Sequence, residues 1–104
     1  MATPIYKFFK ARPTEAFYAL SQEDQQKLFA KIGDMLDTVG GKVVISCNSG
    51  WSNEEWPYFG VEEYPDIEAV QRLYALQQEV EWYRYIESET LLGTKLEEPQ
   101  ESGS

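Results

Sequence analysis

A chain of 104 residues has room for one domain and one core, near the size at which pairing with a second copy adds useful stability. Its formal net charge of −9, with nine basic residues scattered among eighteen acidic ones, argues against a nucleic-acid or anionic-membrane partner. The sequence has no histidine, which removes the usual general base, the histidine-activated nucleophiles and the commonest metal and haem ligand, so no metal and no cofactor is expected. No apolar stretch reaches membrane-spanning length and the N-terminus lacks a charged-then-apolar leader pattern, so a cytoplasmic location is the default expectation.

In chain order, Ile5 to Lys10 alternates as a strand, with Tyr6 and Phe8 on one face and Ile5 and Phe9 on the other. Pro13 ends it, and a short helical turn is expected over Thr14 to Leu20. Ser21 reads as an N-cap, with Asp24 three residues on in the manner of a capping box. In the helix that follows, Leu28, Phe29, Ile32, Met35, Leu36 and Val39 form one apolar stripe. Gly40-Gly41 stops it, because glycine takes the left-handed C′ conformation without a Cβ clash. Lys42 to Cys47 is apolar and β-branched, a second strand, in which the lone cysteine is expected to be buried and inert. Asn48-Ser49-Gly50 is a turn cluster and residues 51–55 a loop. A third strand is expected from Trp56 to Glu63, with Trp56, Tyr58, Gly60 and Glu62 on one face. Asp66 is the N-cap of a second helix running to about Glu81. Tyr83 to Leu92 is then a fourth strand, with Tyr85, Glu87, Glu89 and Leu91 in one row.

This order, β-α-β-β-α-β, predicts an α+β domain of the ferredoxin-like kind over residues 1–94, followed by a disordered acidic tail over 95–104. A four-stranded antiparallel sheet with both helices on one face leaves the other face too rich in rings to stand in water, which predicts a homodimer. Over Ile5 to Leu92 the element order resembles the dimeric α+β barrel superfamily, which includes antibiotic-biosynthesis monooxygenases and muconolactone-isomerase-like proteins. Within it, Pro13 to Leu20 followed by Ser21-Gln22-Glu23-Asp24 resembles the darcynin-type families of unknown function. The chemistry of the superfamily's metal- and haem-using members rests on histidine and does not carry over to this chain.

Three constellations are candidates for chemistry. Glu62 beside Trp56 and Tyr58, and Glu87 near Tyr85, set carboxylates among rings, where exclusion of water makes a usable general acid or base. Gly60, lacking a side chain, would leave a niche between Tyr58 and Glu62. The competing expectation is that these glutamates meet water or pair with Arg84, Lys7 or Lys10. Trp51 and Trp56 flank a polar loop able to close a ligand site or, alternatively, pinned to the core by its rings. Arg84 is placed to bind a ligand carboxylate or to form an internal salt bridge, with Tyr85 and Tyr6 as further ring contacts. The expectation is a homodimer with an aromatic-lined cavity for a small organic molecule, its catalytic candidates Glu62, Tyr58 and Glu87 and its binding candidates Trp51, Trp56, Tyr85, Arg84 and Tyr6. Metal-independent isomerase, cyclase, lyase or oxygenase chemistry would suit these groups. The alternative is a non-enzymatic dimerisation or protein-interaction module.

Overall fold

A computed structural model describes residues 2–97. Most of the tail expected over 95–104 lies outside the described residues, and 94–97 carry no regular structure. The elements are β1 (Ile5–Pro13), α1 (Glu15–Tyr18), α2 (Gln22–Thr38), β2 (Lys42–Asn48), β3 (Tyr58–Tyr64), α3 (Ile67–Glu79), α4 (Trp82–Tyr85) and β4 (Ile86–Gly93). The domain is α+β. Its four strands form one sheet in the order β2-β3-β1-β4, and every neighbouring pair is antiparallel.

The long helices start where their caps require. The Ser21 hydroxyl accepts the Asp24 amide at 3.1 Å, and Asp66 accepts the Ala69 amide at 2.8 Å, each satisfying a first-turn donor. Gly40 ends α2 at φ +80°. Gly41 then lets the chain press close to the core, since a Cβ there would stand 2.5 Å from Leu36 Cδ1.

β1 runs on to Pro13 rather than stopping at Lys10, and two strand starts differ from expectation. β3 begins at Tyr58, because the backbone before it is tied into the preceding loop: Asn53 Oδ1 accepts the Glu55 and Trp56 amides at 2.9 and 2.8 Å. β4 begins at Ile86. The residues before it coil into α4 after Glu81 turns the chain at φ 55°, so Tyr85 is not in the row of Glu87, Glu89 and Leu91.

Register assigns the sheet faces. Ile5, Lys7, Phe9 and Ala11 lie opposite Tyr64, Glu62, Gly60 and Tyr58 on β3, and Lys7, Phe9 and Ala11 lie opposite Leu92, Thr90 and Ser88 on β4. This is the face toward the helices. Tyr6, Phe8, Lys10 and Arg12 share the reverse face with Phe59, Val61, Glu63, Glu87, Glu89 and Leu91. The core is compact and sits at one end: Leu36 and Val39 of α2, Ala69 and Leu73 of α3, and fully buried Tyr64 of β3, with Ile5 and Met35 packed against them. The helical layer is thus anchored at the Tyr64 end, rather than laid along the whole sheet, and stands off elsewhere. Cys47 is half-buried rather than buried, because β2 is an edge strand with no helix laid across it.

Candidate functional site

Where the helical layer stands off, a cavity of about 490 Å³ opens between the layers, within the size range of small-ligand sites. Its floor is the helix-facing side of the sheet: Lys7 and Phe9 from β1, Tyr58 and Glu62 from β3, Ser88 and Thr90 from β4. Phe29 and Ile32 of α2, Gln77 of α3 and Trp82 of α4 close it from above. An adjoining lobe of about 500 Å³ on the α3 side shares Lys7, Gln77, Trp82, Ser88 and Thr90. The rings of the roof brace one another, with Phe29 edge-on to Trp82 at 6.2 Å and to Phe17 at 5.4 Å.

The polar centre is an ion pair inside the layer gap. Lys7 and Glu62 are cross-strand partners, and Lys7 Nζ lies 3.9 Å from Glu62 Oε1, each side chain 18% exposed. The Tyr64 hydroxyl donates to the same Oε1 at 2.5 Å. Burial, and then the hydrogen bond to Glu62, push the Tyr64 phenol well above its ordinary range. Tyr64 is therefore a fixed neutral donor that holds the carboxylate in one orientation. Both contacts engage Oε1, which leaves Oε2 as the oxygen available to a ligand.

The structure brings Glu62 and Tyr58 to this cavity, sets Glu87 at the border of the adjoining lobe, and puts the other candidates elsewhere. Glu62 and Tyr58 face the helices, not the reverse face, and Trp56 is not beside them. The Trp56 ring lies under Arg12 and Lys10, at 4.6 and 5.3 Å, on the reverse face. The niche expected over Gly60 is filled: the Phe9 ring stands 2.9 Å from where a Cβ would be, and the Ile45 carbonyl oxygen 2.6 Å. Glu87 is bound on the reverse face by Arg12, Nε to Oε1 at 2.8 Å, and this hydrogen bond is the main reason the guanidinium is held above its usual pKa. Tyr6 borders a hollow on that face with Phe8, Val61 and Leu91. Trp51 is 85% exposed, its indole donating to the Asn48 carbonyl at 3.1 Å. The loop carrying it closes on itself, Ser49 bonding Trp56 and Pro57 carbonyls, and borders the reverse face rather than the cavity. Arg84 meets Glu81 at 3.4 Å and lies 5.7 Å from the Tyr85 ring, which lines a separate hollow beside Leu20 and Leu28.

Phe9, Phe29, Gln77 and Trp82 were not among the sequence-derived candidates, and Lys7 entered only as a partner for a glutamate. Alternation along β1 does put Lys7 on the face of Ile5 and Phe9. Setting it opposite Glu62 needs the register, which local pattern does not contain. Among the described residues no three His, Cys, Asp or Glu side chains converge on a point. No helix among them is long and apolar enough to cross a membrane.

Fold and site together define a small α+β domain with one antiparallel sheet and an open, ring-lined space under its helices. The chain belongs to DUF6616, a family of unknown function, which matches residues 7–102. No curated protein matches it.

Proposed function

We propose that this chain is a ferredoxin-like subunit of a homodimeric α+β barrel that binds a small organic molecule between its sheet and helices and carries out proton transfer on it with Glu62. The observation that carries the reading is the cavity of about 490 Å³ in which rings from four elements surround a charged pair. The mixture suits a flat, largely apolar ligand with one polar end: Phe9, Phe29, Tyr58 and Trp82 offer area, and Ser88, Thr90, Lys7 and Glu62 offer direction. Tyr58 lies four residues from Glu62 along the same strand, roughly 13 Å at about 3.3 Å per residue, so it contacts the far end of a ligand. Glu87 borders the adjoining lobe but is paired with Arg12, and takes no part in this chemistry. The strand order and the resemblance of Pro13 to Asp24 to darcynin-type families support the barrel placement.

The second copy covers the reverse face. Phe8 is 37% and Leu91 71% exposed there, an apolar centre that water would leave unpaid for. The charges around it are already matched in sign, Lys10 with Glu89 at 2.6 Å, Arg12 with Glu87 at 2.8 Å and Lys42 with Glu63 at 3.8 Å. Two such faces meet without the repulsion that the net charge of −9 would otherwise impose.

Binding of 2-naphthol, followed by quenching of tryptophan fluorescence, tests the cavity. Ser88→Phe fills the floor and should weaken binding at least about ten-fold, which corresponds to about 1.4 kcal/mol, with the circular dichroism unchanged. Binding that survives Ser88→Phe but is lost in Leu91→Asp would put the ligand on the reverse face and favour an interaction module instead.

A further inference from the structure

Two cations line the cavity: Arg12 is engaged by Glu87 and Glu55, whereas Lys7 faces Glu62, and its geometry differs from that of the other lysine on β1. Lys10 is in close contact with its carboxylate, 2.6 Å from Glu89, in a pair more open to water. Lys7 stops 3.9 Å from Glu62, beyond the 2.7–2.9 Å of a charge-assisted hydrogen bond, although both side chains are largely withdrawn from water. The donor to Glu62 Oε1 is Tyr64. The pair is thus held near but open: an ammonium on one side, a carboxylate with a free oxygen on the other, and rings around both.

We infer that Lys7 and Glu62 form an enolising pair, and that the ligand class is a ring-bearing ketone or related carbonyl compound with an acidic C–H next to the carbonyl. The inference rests on the cavity reading above and assigns its substrate class and a second catalytic residue. Glu62 Oε2 takes the proton from the carbon beside the carbonyl. The C–H electron pair forms the new C=C bond, and the carbonyl π pair moves to oxygen, giving an enolate. The oxyanion develops against the Lys7 ammonium, whose positive charge stabilises it more strongly in this water-poor gap than in bulk water. Protonated Glu62 then returns the proton to the same carbon or to the far end of a conjugated system, so the sequence ends in exchange or double-bond migration with no oxidant, reductant or co-reactant. Tyr64 touches no substrate atom and acts as a positioning residue that keeps Oε1 engaged and Oε2 outward.

The test uses 2-tetralone, a bicyclic ketone, in D2O with the purified protein, and follows deuterium entry beside the carbonyl by NMR. The expected result is that 2-tetralone displaces 2-naphthol and exchanges about a hundred-fold faster than in buffer, in line with what a positioned acid–base group contributes. Glu62→Gln and Lys7→Met should each return exchange to the buffer rate while still binding 2-naphthol, which shows that fold and cavity survive. Lys10→Met should exchange like the parent protein. Displacement without accelerated exchange overturns the enolising pair and leaves the cavity reading standing. Acceleration that persists in Lys7→Met overturns the role of Lys7. A 2-tetralone that does not displace bound 2-naphthol overturns the substrate class, and failure of 2-naphthol itself to bind overturns the cavity reading and this inference with it.

Discussion

Tyr64 has none of its surface in water and still spends its hydroxyl on a carboxylate. A phenol so placed stays protonated in the folded chain well past the range where an ordinary tyrosine ionises, first because burial disfavours the charged form and second because the proton is held by Glu62. The unfolded chain releases that proton near pH 10. Its contribution to stability is therefore complete below about pH 10 and is lost progressively as the pH climbs beyond it, by up to about 1.4 kcal/mol per unit. Tyr83 is displaced the same way, by partial burial and then by Tyr74. Tyr64→Phe should cost about 1–2 kcal/mol at pH 8 and then show a flatter decline in urea midpoint between pH 9 and 11 than the parent; parallel declines would refute the assignment. At this scale the sequence showed that Tyr58 and Glu62 share a strand face, since period two is visible in any strand. It did not show what fills the space over Gly60, because the ring that does so belongs to Phe9 on the neighbouring strand.

The helices show how far local pattern reaches. The stripe from Leu28 to Val39 and the caps Ser21 and Asp66 are local, and α2 and α3 lie where those signals place them. Thr14 is another matter: its hydroxyl accepts the Phe17 amide and donates to the Arg84 carbonyl at 2.7 Å, joining α1 to α4 across 70 positions of sequence. Tyr83 to Tyr85 reads as strand because tyrosine favours strands, yet this long-range tie and the turn at Glu81 make Trp82 to Tyr85 a helical turn. Glu81 adopts φ 55°, which costs an L-residue about 1–2 kcal/mol, while its side chain makes an exposed contact with Arg84 at 3.4 Å. Glu81→Gly relieves the backbone at some cost in unfolded-state entropy, so thermal unfolding should report a gain of about 0.5 kcal/mol. A loss would mean that the Arg84 contact outweighs the strained backbone.

For the whole molecule, the two sides of the sheet carry different tasks under the proposed function: the helix side keeps a space open and the reverse side meets a second chain. Light scattering at micromolar concentration should give about twice the chain mass, and Leu91→Asp should give the monomer with its secondary structure intact. A monomeric parent protein at that concentration would rule the barrel out. The α+β class and the order of strands and long helices were legible because those elements announce themselves locally, whereas the gap between layers depends on how α2 is seated, and no local signal reports that. One more consequence comes from β2. This edge strand exposes more than half of Val43, Val44 and Ile45, a run that would invite strands from other molecules to add on and grow a fibril. Its pairing with β3 slips between Val43 and Ile45. An irregularity of this kind, at Val44, the residue skipped by the register, bends an edge strand and disturbs the even ladder of amides and carbonyls that templated growth would need.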